Sequence, residues 1–293
     1  MGRAHQRKQL IFKTIDELCQ QYSISRLCHY FSVSRSGYYA WKKLGKPSYK
    51  NYDEELASKI LFLFNERNKG YRYIQFQLER KYNIIRNPKT ILRYMRILNI
   101  KSPIRKKRYF HYSRKEISLN SILVAPNILN RNFKAKAPFE KLVTDVSYLY
   151  HKTGRIFLSV IKDLFDNSIL AYQISNKNDI KLVMDNLSQV FSKHSYNCIL
   201  HSDQGFQYTS HIYKDTLESL GVTISHSRKG NCYNNACCEN FFSHLKSEIL
   251  YLKPAQSEEE LIKQVNDYII WYNNDRPQGK LKGMTPIEFR NHT

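Results

Sequence analysis

Residues 141–175 read KLVTDVSYLYHKTGRIFLSVIKDLFDNSILAYQIS. Three short runs rich in β-branched and aromatic residues, 143–150, 155–163 and 169–174, are separated here by the turn-forming pairs Thr153-Gly154 and Asp166-Asn167. Such runs with such punctuation predict three strands joined by hairpins. Further on, the pattern predicts a helix over 179–193, a strand over 198–202, a helix over 210–220, a strand over 222–226 and a helix from Ala236. Strands that alternate with helices after a meander imply an α/β fold, a mixed five-stranded sheet with helices on both faces. From Ser257 a capped amphipathic helix runs to about 272, followed by an irregular end containing Pro277 and Pro286.

Upstream of this sheet the chain reads as helices. The first covers 14–22, the second is opened by Ser25, and the third is opened by Ser34 after the turn Phe31-Ser32-Val33, both serines standing where N-caps belong. The third carries Arg35, Tyr38, Tyr39, Trp41, Lys42 and Lys43. Two short helices around a tight turn suit a helix-turn-helix that enters a major groove, with Arg35, Tyr38, Lys42 and Lys43 as DNA contacts. A plain helical hairpin with Tyr38 and Trp41 in its core is the alternative. A second helical group, over 53–65, 73–82 and a helix entered through Asn87-Pro88, looks like a second small DNA-binding unit.

Charge points the same way. The chain has 47 Lys and Arg against 25 Asp and Glu. Residues 1–115 hold 27 of those bases and 7 of the acids, a net of +20, which leaves 20 against 18 for the remainder. A surplus so concentrated implies a polyanionic partner, and the absence of a long basic amphipathic helix favours nucleic acid over a membrane surface. Residues 101–115 contain seven Lys and Arg and no acid, with Tyr109, Phe110 and Tyr112 interleaved. That composition suits an arm lying along phosphates through Arg105, Lys106, Lys107 and Arg108; a solvated linker is the alternative. No apolar run reaches 18 residues and no leader pattern is present, so a cytoplasmic protein is expected. The six cysteines lack paired zinc-ligand spacing and read as free thiols.

Three carboxylates are candidates for chemistry. Asp145 lies within the first strand, Asp203 directly follows the strand over 198–202, and Glu239 stands near the start of a helix. The 35 residues between Asp203 and Glu239 leave room for a helix, a strand and a loop that brings the chain back to the same sheet edge. Carboxylates are hard oxygen donors suited to Mg²⁺, and a pair of such ions assists phosphodiester cleavage. Each acid alone is as readily a surface or turn-capping residue. Asp163 and Asp166, close to the first strand, read as hairpin and turn residues.

The local motifs carry a resemblance. Thr144-Asp145-Val146-Ser147-Tyr148, His201-Ser202-Asp203-Gln204-Gly205, and Arg228-Lys229-Gly230-Asn231-Cys232 leading to Asn235-Ala236 and Glu239 resemble the transposases encoded by the second reading frame of insertion-sequence family 3, in the retroviral-integrase superfamily. Ser34-Arg35-Ser36-Gly37-Tyr38-Tyr39-Ala40-Trp41, Gly70-Tyr71-Arg72, Tyr272-Asn273 and Met284-Thr285-Pro286 extend it over nearly the whole chain.

The resemblance implies an RNase H-like core that performs metal-dependent strand cleavage and strand transfer at insertion-sequence ends. Asp145, Asp203 and Glu239 then hold two Mg²⁺ ions, for which Mn²⁺ substitutes. Lys246, seven residues beyond Glu239, shares its helix side and grips a terminal phosphate. The implied division is 1–47 and 48–112 for the two DNA-binding units, 113–134 for a basic linker, 135–252 for the catalytic core and 253–293 for a C-terminal helix and tail. Implied partners are element ends and target DNA, further copies of the chain on that DNA, and an upstream helix-turn-helix and zipper product, separate or fused by frameshift. These 293 residues would then be part of the working enzyme, associated with the bacterial nucleoid when bound. The sequence departs from the family at Asn234, Cys237 and Leu142, where Asp, Pro and Trp are usual. A DNA-binding regulator and a plain metal-dependent nuclease are the alternatives to transposition.

Overall fold

A computed structural model describes residues 2–43, 45, 52–104, 123–192, 197–227 and 235–292, and for 2–7 the backbone alone. Arg105, Lys106, Lys107 and Arg108, and residues 228–234 of the third motif, lie outside the described residues. The chain forms two compact units, Met1–Ser102 and Pro103–Thr293.

The first unit holds two helical cores. Helices α1 (Gly2–Leu18), α2 (Ile24–Tyr30) and α3 (Arg35–Lys43) enclose Ile15, Leu27, Cys28, Tyr38 and Trp41. α1 starts well before the expected residue 14, because its polar first half shows no apolar periodicity to read. It ends at Leu18, whose carbonyl accepts from both Gln21 and Tyr22. Ser23 rather than Ser25 caps α2, accepting from the Arg26 amide, and Ser25 falls inside the helix. Ser34 caps α3 as expected, accepting from the Gly37 amide at 3.1 Å.

Tyr38 is a correction to the reading of α3 as a row of DNA contacts. It is fully buried, and its hydroxyl donates to Asp16 Oδ1 at 2.9 Å, so the hairpin-core alternative holds for this residue and for Trp41. A 3.6-residue period places Tyr38 and Trp41 on one face of α3, and that face meets Phe12 of α1. Arg35, Lys42 and Lys43 remain exposed, Lys42 at the border of the buried face, where its ammonium lies 3.8 Å from Asp16 Oδ1 and 5.9 Å from the Tyr38 ring.

Helices α4 (Glu54–Arg67), α5 (Tyr71–Tyr82) and α6 (Pro88–Ile97) form the second core around Ile60, Leu63, Ile74, Leu78, Ile91 and Tyr94. Asp53 and Asn87 supply the N-caps, with Pro88 at the first helical position. Asn68 and Asn83 end α4 and α5 at φ 51° and 53°, a left-handed conformation that asparagine tolerates better than most residues.

The second unit is a five-stranded sheet of order β3-β2-β1-β4-β5. β1 (Lys141–His151), β2 (Gly154–Asp163) and β3 (Ile169–Ser175) form the antiparallel meander, while β4 (Ile199–Ser202) and β5 (Thr223–His226) run parallel to β1. This order and these directions make an RNase H-like core. α7 (Ile180–Phe191) and α8 (His211–Ser219) pack into the cluster around Leu142, Ile161, Leu200 and Tyr213; α9 (Ala236–Leu245) and α10 (Glu258–Asn274) pack against β1. Asp179, Ser210 and Ser257 cap α7, α8 and α10.

Two segments depart from expectation. Residues 125–129, assigned to a linker, dock along β5: the Ala125 amide donates to His226 Nδ1 and the Ile128 and Leu129 amides to Ser225 Oγ, all within 3.1 Å. The C-terminal end contains a helix, α11 (Pro286–Asn291), opened by a capping box between Thr285 and Glu288. Pro286 looks like a breaker in sequence, yet at the first helical position its missing N–H costs nothing.

α11 also closes a buried ion cluster. Arg290 donates from Nη2 to Asp163 Oδ2 at 2.7 Å and from Nε to Asp166 Oδ2. Both carboxylates are fully buried, and Asp163 accepts in addition from the Phe139 and Phe165 amides at 2.9 Å. Burial nonetheless pushes the Asp163 carboxyl above the usual range, against the pull of those amides and of Arg290. The hairpin and turn roles expected of Asp163 and Asp166 are therefore joined to a third element that sequence did not name.

Candidate active site

The parallel pairing of β1 with β4 levels two of the three candidate carboxylates. Val143 pairs with His201, and two residues further along each strand stand Asp145 and Asp203. β1 pairs with β4 only over residues 141–143, so the edge of β1 beside Asp145 is free of that neighbour. Asp203 sits where β4 has ended, its Oδ1 accepting from the Gly205 amide at 2.8 Å. A Cβ on Gly205 would lie 3.0 Å from that same oxygen, so a larger residue there would make the Asp203 carboxylate shift by a few tenths of an ångström.

α9 brings the third carboxylate. Asn235, at its N-terminus, donates from Nδ2 to the Thr144 carbonyl at 3.3 Å, and Lys162 donates to the Cys237 carbonyl at 3.2 Å. Both bonds fasten the first turn of α9 to the meander, one of them beside Asp145. Neither role was foreseen for Asn235 or Lys162, since each depends on a partner far away in sequence. Cys237, where the family usually has Pro, serves through its backbone carbonyl, which either residue would provide.

The three acids act on one another electrostatically. Burial, then the Asp203 carboxylate, and also that of Glu239, push Asp145 up to about 8, although its Oδ1 accepts from the Val146 amide at 2.8 Å. Glu239 is raised by burial and by Asp203. Lys246, expected further along this helix, opens a π-helical turn (Lys246–Leu250) that follows α9, donates from Nζ to Ser147 Oγ at 2.7 Å and lies 5.0 Å from the Tyr148 ring centroid. Burial lowers its ammonium and Asp145 raises it. Tyr208, which sequence did not single out, is buried within 3.5 Å of Thr144 Oγ1, and its phenol is held well above its ordinary value by burial and by Asp145.

Hard oxygen donors that repel one another in a partly buried site are the kind of set a divalent cation relieves. Among the described residues no three His, Cys, Asp or Glu side chains are drawn into a closed metal cage. The donor chemistry fits magnesium, and the side chains stand apart, two of them held by local amides. Five cysteines are free thiols among the described residues.

The raised Asp145 value has a consequence for stability. A carboxyl whose folded value exceeds its unfolded one contributes stability that is complete below the unfolded value and is lost as pH rises toward the folded one. In EDTA the parent is expected to lose stability relative to Asp145→Asn as pH rises from 4 to 8, with a ceiling of about 5 kcal/mol if the whole shift is expressed, about 2–4 °C in Tm for each kcal/mol. Melting curves at both pH values that show no divergence would mean that neither burial nor the neighbouring carboxylates hold Asp145 above its usual range.

Comparison with known proteins agrees with the geometry. Residues 135–232 and 239–293 match integrase core domain families, and 51–108 match an HTH-like domain. That last match falls on α4–α6, the second helical group. The chain is 40% identical over 285 residues to the Escherichia coli (strain K12) protein named as transposase InsK for insertion sequence element IS150, covering 96% of this chain and 98% of that one. It is 32% identical over 255 residues to the transposase for insertion sequence element IS904 of Lactococcus lactis subsp. lactis, covering 84% and 98%. Among solved structures, the HTLV-2 integrase catalytic core domain in complex with magnesium is 16% identical and covers 53% of this chain and 98% of that one, with a TM-score of 0.43. With an RNase H-like sheet, an integrase core and these relatives, the chain belongs to the family of insertion-sequence transposases.

Proposed function

We propose that this transposase cleaves and joins DNA strands at insertion-sequence ends, with Asp145, Asp203 and Glu239 as the residues that hold its divalent metal. The observation that carries the reading is geometric: the parallel register of β1 and β4 sets Asp145 level with Asp203, and the bonds of Asn235 and Lys162 fasten the first turn of α9, which carries Glu239, to the same meander. Two magnesium ions, replaceable by manganese, supply there the Lewis acidity that favours both the attacking and the leaving oxygen. The protein's own contribution is placement. Asn235 fixes the start of α9, the Gly205 amide holds the Asp203 carboxylate, and Lys246 exchanges the Ser147 hydroxyl for a phosphate oxygen of the bound end.

Arg35, Lys42 and Lys43 on α3, together with Arg105, Lys106, Lys107 and Arg108, serve the DNA backbone in this reading. Element ends and target DNA are the substrates. Further copies of the chain, and an upstream helix-turn-helix and zipper product, complete the assembly on bacterial DNA.

Incubating the full chain with Mg²⁺ and labelled element-end DNA tests the proposal. Specific nicking followed by joining is expected; unspecific degradation indicates a plain nuclease, and binding without cleavage a regulator. A fragment of residues 1–112 is expected to bind DNA by itself. Its affinity should fall with salt by a log-log slope of about 0.9 per phosphate contacted. The complementary fragment is best cut at 123, since residues 125–129 pack with β5. If the two fragments bind equally at low salt, the N-terminal charge has been misread.

A further inference from the structure

On one face of β1, Leu142 and Val146 belong to the core cluster shared with α7. The alternation that sends them inward sends Tyr148 and Tyr150 to the same face further along the strand. There they are open: Tyr148 is 52% exposed and Tyr150 62%. β2 sets Phe157 opposite Tyr148 and Arg155 opposite Tyr150. The tyrosine rings lie 5.4 Å apart between centroids at 65°, and the Arg155 guanidinium is 5.5 Å from the Phe157 ring. Lys246 touches Ser147 on the opposite face as well as the Tyr148 ring, so it stands at the edge where the two faces meet. The sheet thus extends beyond its helical cover as an aromatic patch bordered by two cations.

We propose that Tyr148 and Tyr150 form a stacking platform for unpaired bases of the DNA strand whose phosphate enters the carboxylate site. The inference rests on the function proposed above and names the form of DNA that this site takes. Flat aromatic side chains flanked by Lys and Arg suit single-stranded nucleic acid, because every base presents a π-face and every nucleotide a negative charge. A duplex hides its base faces except at its end. The platform therefore selects a frayed or processed terminus over continuous double helix. Tyr148 lies three residues from Asp145, about 10 Å along the strand and on the opposite face of the sheet, so a DNA strand reaches both by passing round the edge of β1 that β4 leaves open, beside Lys246. Lys246 then serves two purposes, holding a phosphate and polarising the ring on which the neighbouring base lies.

The test uses the full chain in EDTA, where nothing is cut, and two probes: a blunt duplex, and the same duplex with a short unpaired overhang carrying the fluorescent base 2-aminopurine. The parent should prefer the overhang and quench its fluorescence. Tyr148→Ala and Tyr150→Ala should each lose about tenfold in affinity for the overhang, with blunt-duplex affinity unchanged, while Tyr148→Phe behaves like the parent. Three results overturn the platform: alanine variants that match the parent, equal losses on both probes, or a changed oligomeric state with overhang affinity intact, which marks a protein contact. Because cleavage plays no part, a Glu239→Gln enzyme that still cuts would defeat the metal assignment and leave this measurement standing. The converse holds equally.

Discussion

Glu239→Gln, Asp145→Asn and Asp203→Asn are each expected to reduce strand cleavage by about 10³-fold or more, the scale of losing a Lewis-acid site. Each substitution removes a charge from the metal-holding set while keeping nearly the same shape, so the fold should persist. Binding to end DNA should survive or tighten without metal, since one fewer negative charge faces the phosphates. The contrast between lost chemistry and retained binding is what a merely structural carboxylate does not produce. Cleavage is to be measured in Mg²⁺ and again in Mn²⁺, with affinity measured in EDTA. A Glu239→Gln enzyme that cuts at near the parent rate in either ion takes the third ligand out of the site.

Arg290→Ala should be the most destabilising single change outside the apolar core. It leaves Asp163 and Asp166, both fully buried, without the guanidinium that neutralises them. Removing one partner of a buried ion cluster costs roughly 3–5 kcal/mol, because the remaining charge stays out of water uncompensated. A fall in Tm of about 6–12 °C follows for 3 kcal/mol in a unit of this size. Arg290→Lys should recover only part of the loss, since one ammonium does not reproduce a fork that reaches two carboxylates and Ser168. The triple change Asp163→Asn, Asp166→Asn and Arg290→Met should be milder than Arg290→Ala alone, because it strands no charge. Thermal unfolding of the three proteins decides; a drop under 2 °C for Arg290→Ala would mean that solvent reaches the cluster.

What sequence disclosed was whatever is local. Turn pairs bounded the meander, and Asp53, Asn87, Asp179, Ser210 and Ser257 announced their helices, because an N-cap bonds within three residues of itself. For the candidate site, sequence offered the motifs around Asp145, Asp203 and Glu239 and a loop length that returns the chain to the same sheet edge; the register that levels Asp145 with Asp203 came from the structure. Neither the motifs nor the loop length showed what depends on distant partners. Tyr38 carries a polar tip and an apolar body, and only the approach of Asp16 and Phe12 decides that it faces inward. Residues 125–129 look like linker until Ser225 and His226 take their amides. Asn235, Lys162 and Tyr208 have no local signal at all, and each finds its role on another element.

The Arg290 cluster also has a timing. Asp166 leaves the ribosome 124 residues before the arginine that neutralises it. At 5–20 residues per second that interval is roughly 6–25 s. Throughout it the two carboxylates of the meander are without the guanidinium that neutralises them in the finished fold. A chain cut short ahead of residue 290 would keep that buried pair uncompensated. The closing helix thus completes, late in synthesis, a neutralisation that the second hairpin has lacked since it was made.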